Sequence, residues 1–104
     1  MTTYHPVREH LLVEDVLAAL GNTVRLGIVR DLAASTGERT CGSFPVEVTK
    51  ATATHHWRVL RESGITREHK VGRYKAVELR REDLDARFPG LLDAVLNAAP
   101  PATA

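Results

Sequence analysis

One predicted helix constrains the fold more than any other stretch of the sequence. Thr49 is a residue type that caps helix N-termini, and Gly64 is one that ends helices, so the residues between them are predicted to form one helix. Its apolar residues Ala53, Trp57 and Leu60 recur at spacings of four and three, which aligns them in one stripe. A helix of this kind packs its stripe on a core and leaves its other side in solvent.

The opposite face of this helix, predicted over residues 50–63, is polar and mostly basic. An α-helix fits the major groove of B-DNA, where residues near its N-terminus reach base edges. The face is therefore predicted to read DNA, whereas His56, which points about 100° away from its neighbour, is predicted to pack partly. The residues assigned to DNA contact are Thr49, Lys50, Ala51, Thr52, Thr54, His55 and Arg58.

A basic hairpin follows the helix. Two strands are predicted over residues 65–70 and 73–80, joined around Val71 and Gly72, where glycine supplies the positive φ of a tight turn. Although the whole chain has a net charge of only +1, residues 50–81 contain nine basic and three acidic residues. Such segregation is typical of a nucleic-acid-binding surface, although arginines on hairpins are often only solvated. The cations predicted to bind phosphate are Arg58, Arg67, Lys70, Arg73 and Lys75.

Two helices are predicted before this unit. The first begins near Glu14 and ends at Gly21, and the second is capped by Thr23. The second helix has apolar residues around most of its circumference, which is typical of a centrally buried helix. The connector after it has room for no more than one helical turn, because Gly42 and Pro45 interrupt it.

The chain ends are predicted to be less regular. Residues 1–12 are expected to form a loose arm with a helical turn at its end, and residues 99–104 a frayed tail. After a helix over residues 81–86 we expect a break near Phe88, with Pro89 in the first turn of a further helix. The order of elements is that of a winged helix-turn-helix domain, mainly α with a small β hairpin, over residues 13–98.

Two stretches of the sequence resemble repressors of the ArsR/SmtB family. Residues 19–29, Ala-Leu-Gly-Asn-Thr-Val-Arg-Leu-Gly-Ile-Val, are similar to the opening signature of that family. Residues 48–65, Val-Thr-Lys-Ala-Thr-Ala-Thr-His-His-Trp-Arg-Val-Leu-Arg-Glu-Ser-Gly-Ile, resemble its recognition helix, with a Thr-rich start and a Leu-Arg-Glu-small-Gly-apolar exit. The wing, ending in Gly72 and Arg73, also conforms, so the resemblance covers residues 13–96.

The resemblance implies a homodimeric repressor. Its first and last helices would form the interface, and its two recognition helices would enter successive major grooves of a near-palindromic operator and block a promoter until a signal relieves it. A lone chain of 104 residues buries only a modest core, which also favours a dimer, although periodicity alone allows the same residues to be monomer core. The matching apolar positions are Val16, Leu20, Leu84, Phe88, Leu91, Leu92 and Val95.

The sequence departs from the family in its metal ligands. Relatives often sense metals through a Cys-x-Cys pair near the third helix or through Asp, His and Glu ligands on the last helix. Here Cys41 is the single cysteine, and residues 81–98 contain no histidine or cysteine. We therefore expect neither metal site nor any cofactor; a residual alternative would join Cys41 to His5 or His10.

Other functions were weighed against DNA binding. Cys41 would be a redox-sensing thiol if the nearby Arg39 lowered its pKa, although free cysteines are usually inert small hydrophobes. The weak net charge also fits a winged-helix module that binds proteins and not DNA. No nucleophile elbow, glycine-rich phosphate loop or metal triad predicts an enzyme. The lack of a long apolar run or a secretory N-terminus predicts a cytoplasmic protein.

Overall fold

The computed structural model describes residues 4–35, 39–44 and 48–98, and it confirms a winged-helix fold that is mainly α with a small β-sheet. The described part contains five α-helices, three short strands and two single 3-10 turns. In chain order the elements are a 3-10 turn at Arg8–His10, α1 at Val13–Leu20, α2 at Thr23–Ala34, β1 at Arg39–Thr40, a second 3-10 turn at Cys41–Ser43, α3 at Lys50–Glu62, β2 at Thr66–Val71, β3 at Tyr74–Leu79, α4 at Arg81–Arg87 and α5 at Leu91–Asn97.

The N-termini of α2 and α3 are both held by side-chain caps. The side chain of Asn22 accepts a hydrogen bond from the backbone N–H of Arg25 at 3.1 Å. The prediction that Thr23 caps α2 is therefore wrong by one residue, because the amide oxygen of Asn22 takes that role and Thr23 becomes helical. For α3 the prediction is confirmed, since the Thr49 hydroxyl accepts from the N–H of Thr52 at 3.2 Å.

The end of α3 is fixed by a glycine and by the N-terminal segment. Gly64 follows the helix with a φ of 88°, a conformation that favours glycine. The side chain of Leu11 occupies the place where a Cβ of residue 64 would lie. Glycine is therefore required here both for the backbone turn and for the close approach of Leu11.

The sheet has three strands, of which two were predicted. β3 is central, and β2 pairs with it as an antiparallel hairpin in which Val71 faces Tyr74. The two turn residues are Gly72, with a φ of 62°, and Arg73, so the turn lies one residue later than predicted. The prediction missed β1, which has only two residues and exists through its pairing with the other side of β3.

The core lies between α2, α3, the sheet and the first and last helices. On α2 only Ile28, Val29 and Leu32 are buried, so this helix is less enclosed than predicted. The stripe of α3 faces the core as predicted, with Trp57 and Leu60 buried. The Trp57 ring meets the Phe44 ring edge-on, with 5.2 Å between the ring centroids, and this contact closes the core beneath the connector.

Residues 4–12 contain the expected helical turn, at Arg8–His10. They pack on the wing, on α4 and at the end of α3, however, and do not form the loose arm that we expected. The ring of His5 accepts a hydrogen bond at Nε2 from the backbone N–H of Glu68 at 3.0 Å. That N–H lies on the outer edge of β2, which pairs with β3 on its other side. Arg80, which is buried, donates to the carbonyl oxygen of Pro6 at 2.7 Å. The outer edge of β2 and the buried guanidinium of Arg80 are thus both hydrogen-bonded to residues of the N-terminal segment.

The C-terminal region confirms the predicted break but not its details. Phe88 lies between α4 and α5, as expected. Pro89 is outside both helices, because Gly90, with a φ of 81°, precedes α5 and makes the turn. The predicted frayed tail at residues 99–104 lies outside the described residues. Within those that are described, no helix is long and apolar enough to span a bilayer.

Part of the predicted dimer interface belongs to the core of one chain. Val16 and Leu20 of α1 and Leu84 and Leu92 of the C-terminal helices are buried without a second copy. These four side chains fill the core of one chain, as periodicity alone allowed, and this leaves them little surface for a second copy. The other matched positions, Phe88, Leu91 and Val95, are only partly buried. A dimer through the first and last helices therefore remains a prediction.

Candidate nucleic-acid interface

The solvent face of α3 is exposed along its whole N-terminal half. The residues predicted to contact DNA from this helix all lie on that face, opposite the buried His56, Trp57 and Leu60. The first turn of α3 contains no acidic residue, so the positive end of the helix dipole is not neutralised from within. The exposed residues are Thr49, Lys50, Ala51, Thr52, Thr54, His55 and Arg58.

The threonines on this face already make local hydrogen bonds. The Thr49 hydroxyl donates to that of Thr52 at 2.9 Å, and the Thr54 hydroxyl donates to the carbonyl oxygen of Lys50 at 3.0 Å. Hydroxyl oxygens keep acceptor lone pairs when they donate, and they can rotate to other partners. The face therefore presents small, adaptable polar groups of the kind that suits contact with base edges.

α3 is held in place by an arginine that the sequence analysis did not single out. Arg25 of α2 donates from Nε to the carbonyl oxygen of Ala19 at 2.7 Å, and its Nη1 lies 3.1 Å from Nδ1 of His56. Burial, with the positive charge of Arg25, lowers the pKa of His56, which keeps the ring neutral and able to accept this bond. His56 therefore packs more completely than predicted, while His55 beside it is exposed.

The cations of the wing fall into two classes. Lys70 and Arg73 lie exposed beside the turn, and neither makes an ion pair with an acidic group in the described part of the chain. Arg67 instead lies 3.5 Å from Asp83 and 3.6 Å from Glu78. The predicted phosphate ligands therefore differ in availability, because a phosphate at Arg67 would have to compete with two carboxylates.

A compact ion cluster joins Arg67 and the N-terminal segment to α4. Asp83 accepts hydrogen bonds from Arg8 at 2.7 Å and from Arg80 at 2.9 Å. Burial acts to raise the pKa of Asp83, but the bonds from Arg8 and Arg80 outweigh it and hold that pKa below its usual range. Asp83 is thus ionised near neutral pH and neutralises the buried guanidinium of Arg80.

A second cluster lies between α3 and the wing. The carboxylate of Glu68 has a side-chain exposure of 2% and lies 2.9 Å from Nη1 of Arg61. Its other oxygen lies 3.7 Å from Nζ of Lys75 and accepts from the Cys41 thiol at 3.9 Å. The sequence did carry one signal for this cluster, because Glu68 shares the buried face of β2 with Thr66.

The surroundings of Cys41 argue against the redox hypothesis. Burial, together with the negative charge of Glu68, raises the pKa of the thiol to about 11. Arg39, which was predicted to lower that pKa, instead stacks over the Phe44 ring at 3.9 Å and donates to the carbonyl oxygen of Ser43. The thiol is therefore protonated at neutral pH and lacks the activation that a thiol sensor needs.

The described side chains bear on the metal sites considered from the sequence. Across the ranges that the structure describes, no group of three or more His, Cys, Asp and Glu side chains is placed to hold one. In the alternative that joined Cys41 to His5, Nε2 of His5 already accepts from the N–H of Glu68, and the Cys41 thiol would have to lose a proton whose pKa is raised. Both features count against that pairing.

The chain is similar in sequence to a known class of regulators. Residues 20–69 match the helix-turn-helix domain family. The HTH-type transcriptional regulator YceK of Bacillus subtilis (strain 168) is 35% identical over 82 residues, which cover 77% of this chain and 82% of that protein. The family match at residues 20–69 contains the predicted recognition helix and ends within the first strand of the wing.

Solved structures extend the similarity to the fold. A crystal structure of an ArsR family transcriptional regulator has a TM-score of 0.65 at 23% identity, covering 79% of this chain and 90% of that one. A regulator described as possibly acting in arsenical resistance has a TM-score of 0.59 at 28% identity, covering 77% and 82%. The transcriptional repressor BigR from Xylella fastidiosa has a TM-score of 0.63 at 26% identity, covering 85% and 88%.

Proposed function

Because the chain belongs to the helix-turn-helix transcriptional regulators of the ArsR type, we propose that it represses transcription by binding a specific duplex through α3 and the wing. The observation that supports this most is the exposed N-terminal half of the α3 solvent face, whose first turn contains no acidic residue. On α3 and the wing, Lys50, Arg58, Lys70 and Arg73 are exposed and have no acidic partner in the described ranges. Cations left unpaired in the fold are available to phosphate.

The proposed contacts divide into those that specify sequence and those that position the protein. Thr52, Thr54 and His55 are placed to reach base edges when the N-terminal half of α3 enters the major groove, with Ala51 allowing close approach. Phosphate contacts come chiefly from the unpaired cations. Arg67 and Lys75 would contribute less, because carboxylates already hold them.

We propose further that two copies act together on a near-palindromic operator. Apolar side chains remain exposed at the start of the first helix, namely Leu12, Val13 and Leu17, and part-buried ones on the last helix, so an apolar surface is available for a second copy. Closed twofold association is the commonest form of homo-oligomer, and it matches the symmetry of a palindrome. Such a dimer would work by binding and not by catalysis, in the cytoplasm, and would occlude a promoter.

Selection of duplexes from a random pool tests the proposal. We expect the purified protein to retain a near-palindromic sequence and its affinity to fall as salt rises. Arg73→Ala should weaken binding to selected and random duplexes alike and lower the slope of log affinity against log salt by about 1. Thr54→Ala should reduce the preference for the selected duplex while affinity for random duplex stays the same.

Two outcomes would contradict the proposal. One is that no duplex is retained at any salt concentration, which would instead favour the protein-interaction module. The other is that both variants behave as the unmodified protein does across the salt series. Circular dichroism of each variant serves as the control for folding.

A further inference from the structure

A pocket lies between α3, the wing and the turn that contains Cys41. It has a volume of about 400 Å³ and is open to solvent on one side. This volume lies within the range of about 300–1,000 Å³ that small-molecule sites occupy. Its walls include Cys41, Trp57, Arg58, Arg61, Glu68 and Lys75.

The charge of the pocket favours an anion. Arg58, Arg61 and Lys75 line it against a single carboxylate, that of Glu68. Glu68 is already satisfied, because Arg61 and Lys75 are held against its oxygens at 2.9 and 3.7 Å. Arg58 is exposed and makes no ion pair with a described residue, so its N–H donors are available in the pocket. The pocket therefore keeps net positive charge and unused donors, which an anionic ligand would satisfy.

One wall of the pocket is apolar. Ala51 and Trp57 line it from α3, and Cys41 lines it from the connector. The Cys41 thiol is neutral, since its pKa is raised to about 11, and it behaves as a small apolar group. A bare inorganic anion would leave this wall uncovered, so the lining favours an anion that also carries a compact apolar group.

We propose that this pocket binds a small organic anion, a carboxylate or a phosphate monoester on an aromatic or similarly compact apolar group, and that the bound anion releases DNA. The release rests on the proposed function, because Thr54, His55 and Arg58 line the pocket and also belong to the proposed DNA surface. An anion bound beside Arg58 would offset the charge of that guanidinium and repel a backbone phosphate brought to the same side chain. The two ligands therefore compete for Arg58.

The fluorescence of Trp57 reports on the pocket directly, because it is the single tryptophan of the chain. Phenyl phosphate is the probe, and inorganic phosphate and benzyl alcohol each lack one half of the proposed ligand. We expect a saturable change with phenyl phosphate, binding weaker by roughly tenfold with inorganic phosphate, and no response to benzyl alcohol. Equal affinity for the two phosphates, or no response to phenyl phosphate, would overturn the proposal.

A pair of variants separates the pocket from the DNA surface. Cys41→Met adds volume inside the pocket without changing any proposed DNA contact, and Cys41→Ser keeps the volume as the matched control. We expect Cys41→Met to lose roughly tenfold in affinity for phenyl phosphate and to keep duplex affinity, whereas Cys41→Ser keeps both. Lys75→Met, which removes a lining charge, should lower anion affinity to a similar extent.

Competition on DNA completes the test at constant ionic strength. Phenyl phosphate should weaken duplex binding by the unmodified protein and by Cys41→Ser but not by Cys41→Met. Equal displacement from all three would overturn the proposal, because it would show that the anion acts only as salt. If a short duplex changed the fluorescence of Trp57 and phenyl phosphate did not, the pocket would be part of the DNA interface. This result would also overturn the proposal. If phenyl phosphate gave a saturable change in Trp57 fluorescence but the protein bound no duplex, the proposed function would be refuted and anion binding in the pocket would still be supported.

Discussion

Two groups of cations on this molecule differ in whether they are paired with acidic residues. The tip cations Lys50, Arg58, Lys70 and Arg73 are exposed and make no ion pair with a described acidic residue. The clasp cations Arg8, Arg67 and Arg80 converge on one carboxylate, that of Asp83, and tie the N-terminal segment and the wing to α4. The comparison teaches that pairing, more than local charge density, separates a binding surface from structural charge.

The largest expected effect is on stability and comes from removing the carboxylate of Asp83, on which the clasp cations converge. Asp83→Ala would leave Arg80, whose side chain is 3% exposed, as a buried charge without its carboxylate. We expect a loss of about 3 kcal/mol in the free energy of unfolding, measured by urea denaturation. Asp93→Ala is the matched control, because Asp93 is 61% exposed and pairs with an exposed arginine, and it should cost less than about 0.5 kcal/mol. Equal losses would mean that the clasp is only surface charge.

The wing predicts a smaller effect, on DNA affinity. Arg73→Ala should weaken binding to any duplex by roughly tenfold at low salt, whereas Arg67→Ala should weaken it by less than about threefold. The difference arises because a phosphate at Arg67 competes with Asp83 and Glu78, while Arg73 has no such competitor among the described residues. Filter-binding titrations of both variants measure it. If Arg67→Ala proved as damaging as Arg73→Ala, the division between tip and clasp would fail.

The N-terminal segment predicts the smallest effect, on the pH dependence of stability. Burial and the charges of Arg61, Arg67 and Arg80 lower the pKa of His5 below 6.5. The unfolded chain then takes up the proton first, so the stability that neutral His5 contributes is full above pH 6.5 and declines as pH falls toward the folded pKa.

Denaturant titrations between pH 7 and pH 5 test this dependence. His5→Ala should flatten the decline, by far less than the loss expected for Asp83→Ala, and leave a residual decline from His56, whose pKa is also lowered. Curves that run parallel for His5→Ala and the unmodified protein would show that the bond from Glu68 to His5 carries no pH dependence.

The recognition helix was predictable because its determinants are local. The cap at Thr49, the stripe that includes Trp57 and Leu60, and the stop at Gly64 all lie within α3 or at its ends, and the structure confirms each of them. The starts of α2 and α5 were less predictable. The structure places Asn22 and Gly90 at the N-caps, whereas the prediction began these helices with their neighbours Thr23 and Pro89.

The features that were missed depend on contacts between distant parts of the chain. β1 is a strand only because Arg39 and Thr40 pair with β3. The bond from Arg80 to Pro6 joins residues 74 positions apart, so no local pattern could predict that residues 4–12 pack on the rest of the chain. The pocket between α3 and the wing likewise depends on how the Cys41 turn, α3 and the hairpin meet.

The central claim is that one face of the molecule, and not its overall charge, binds DNA. Arg58→Gln and Arg81→Gln each remove one arginine charge. Arg58 lies on the solvent face of α3, whereas Arg81 follows the wing in the sequence, begins α4 and pairs with Asp93. Titration of the selected duplex across a salt series should show affinity lower by roughly tenfold and a slope lower by about 1 for Arg58→Gln, with Arg81→Gln unchanged. Equal losses for the two variants would contradict the account.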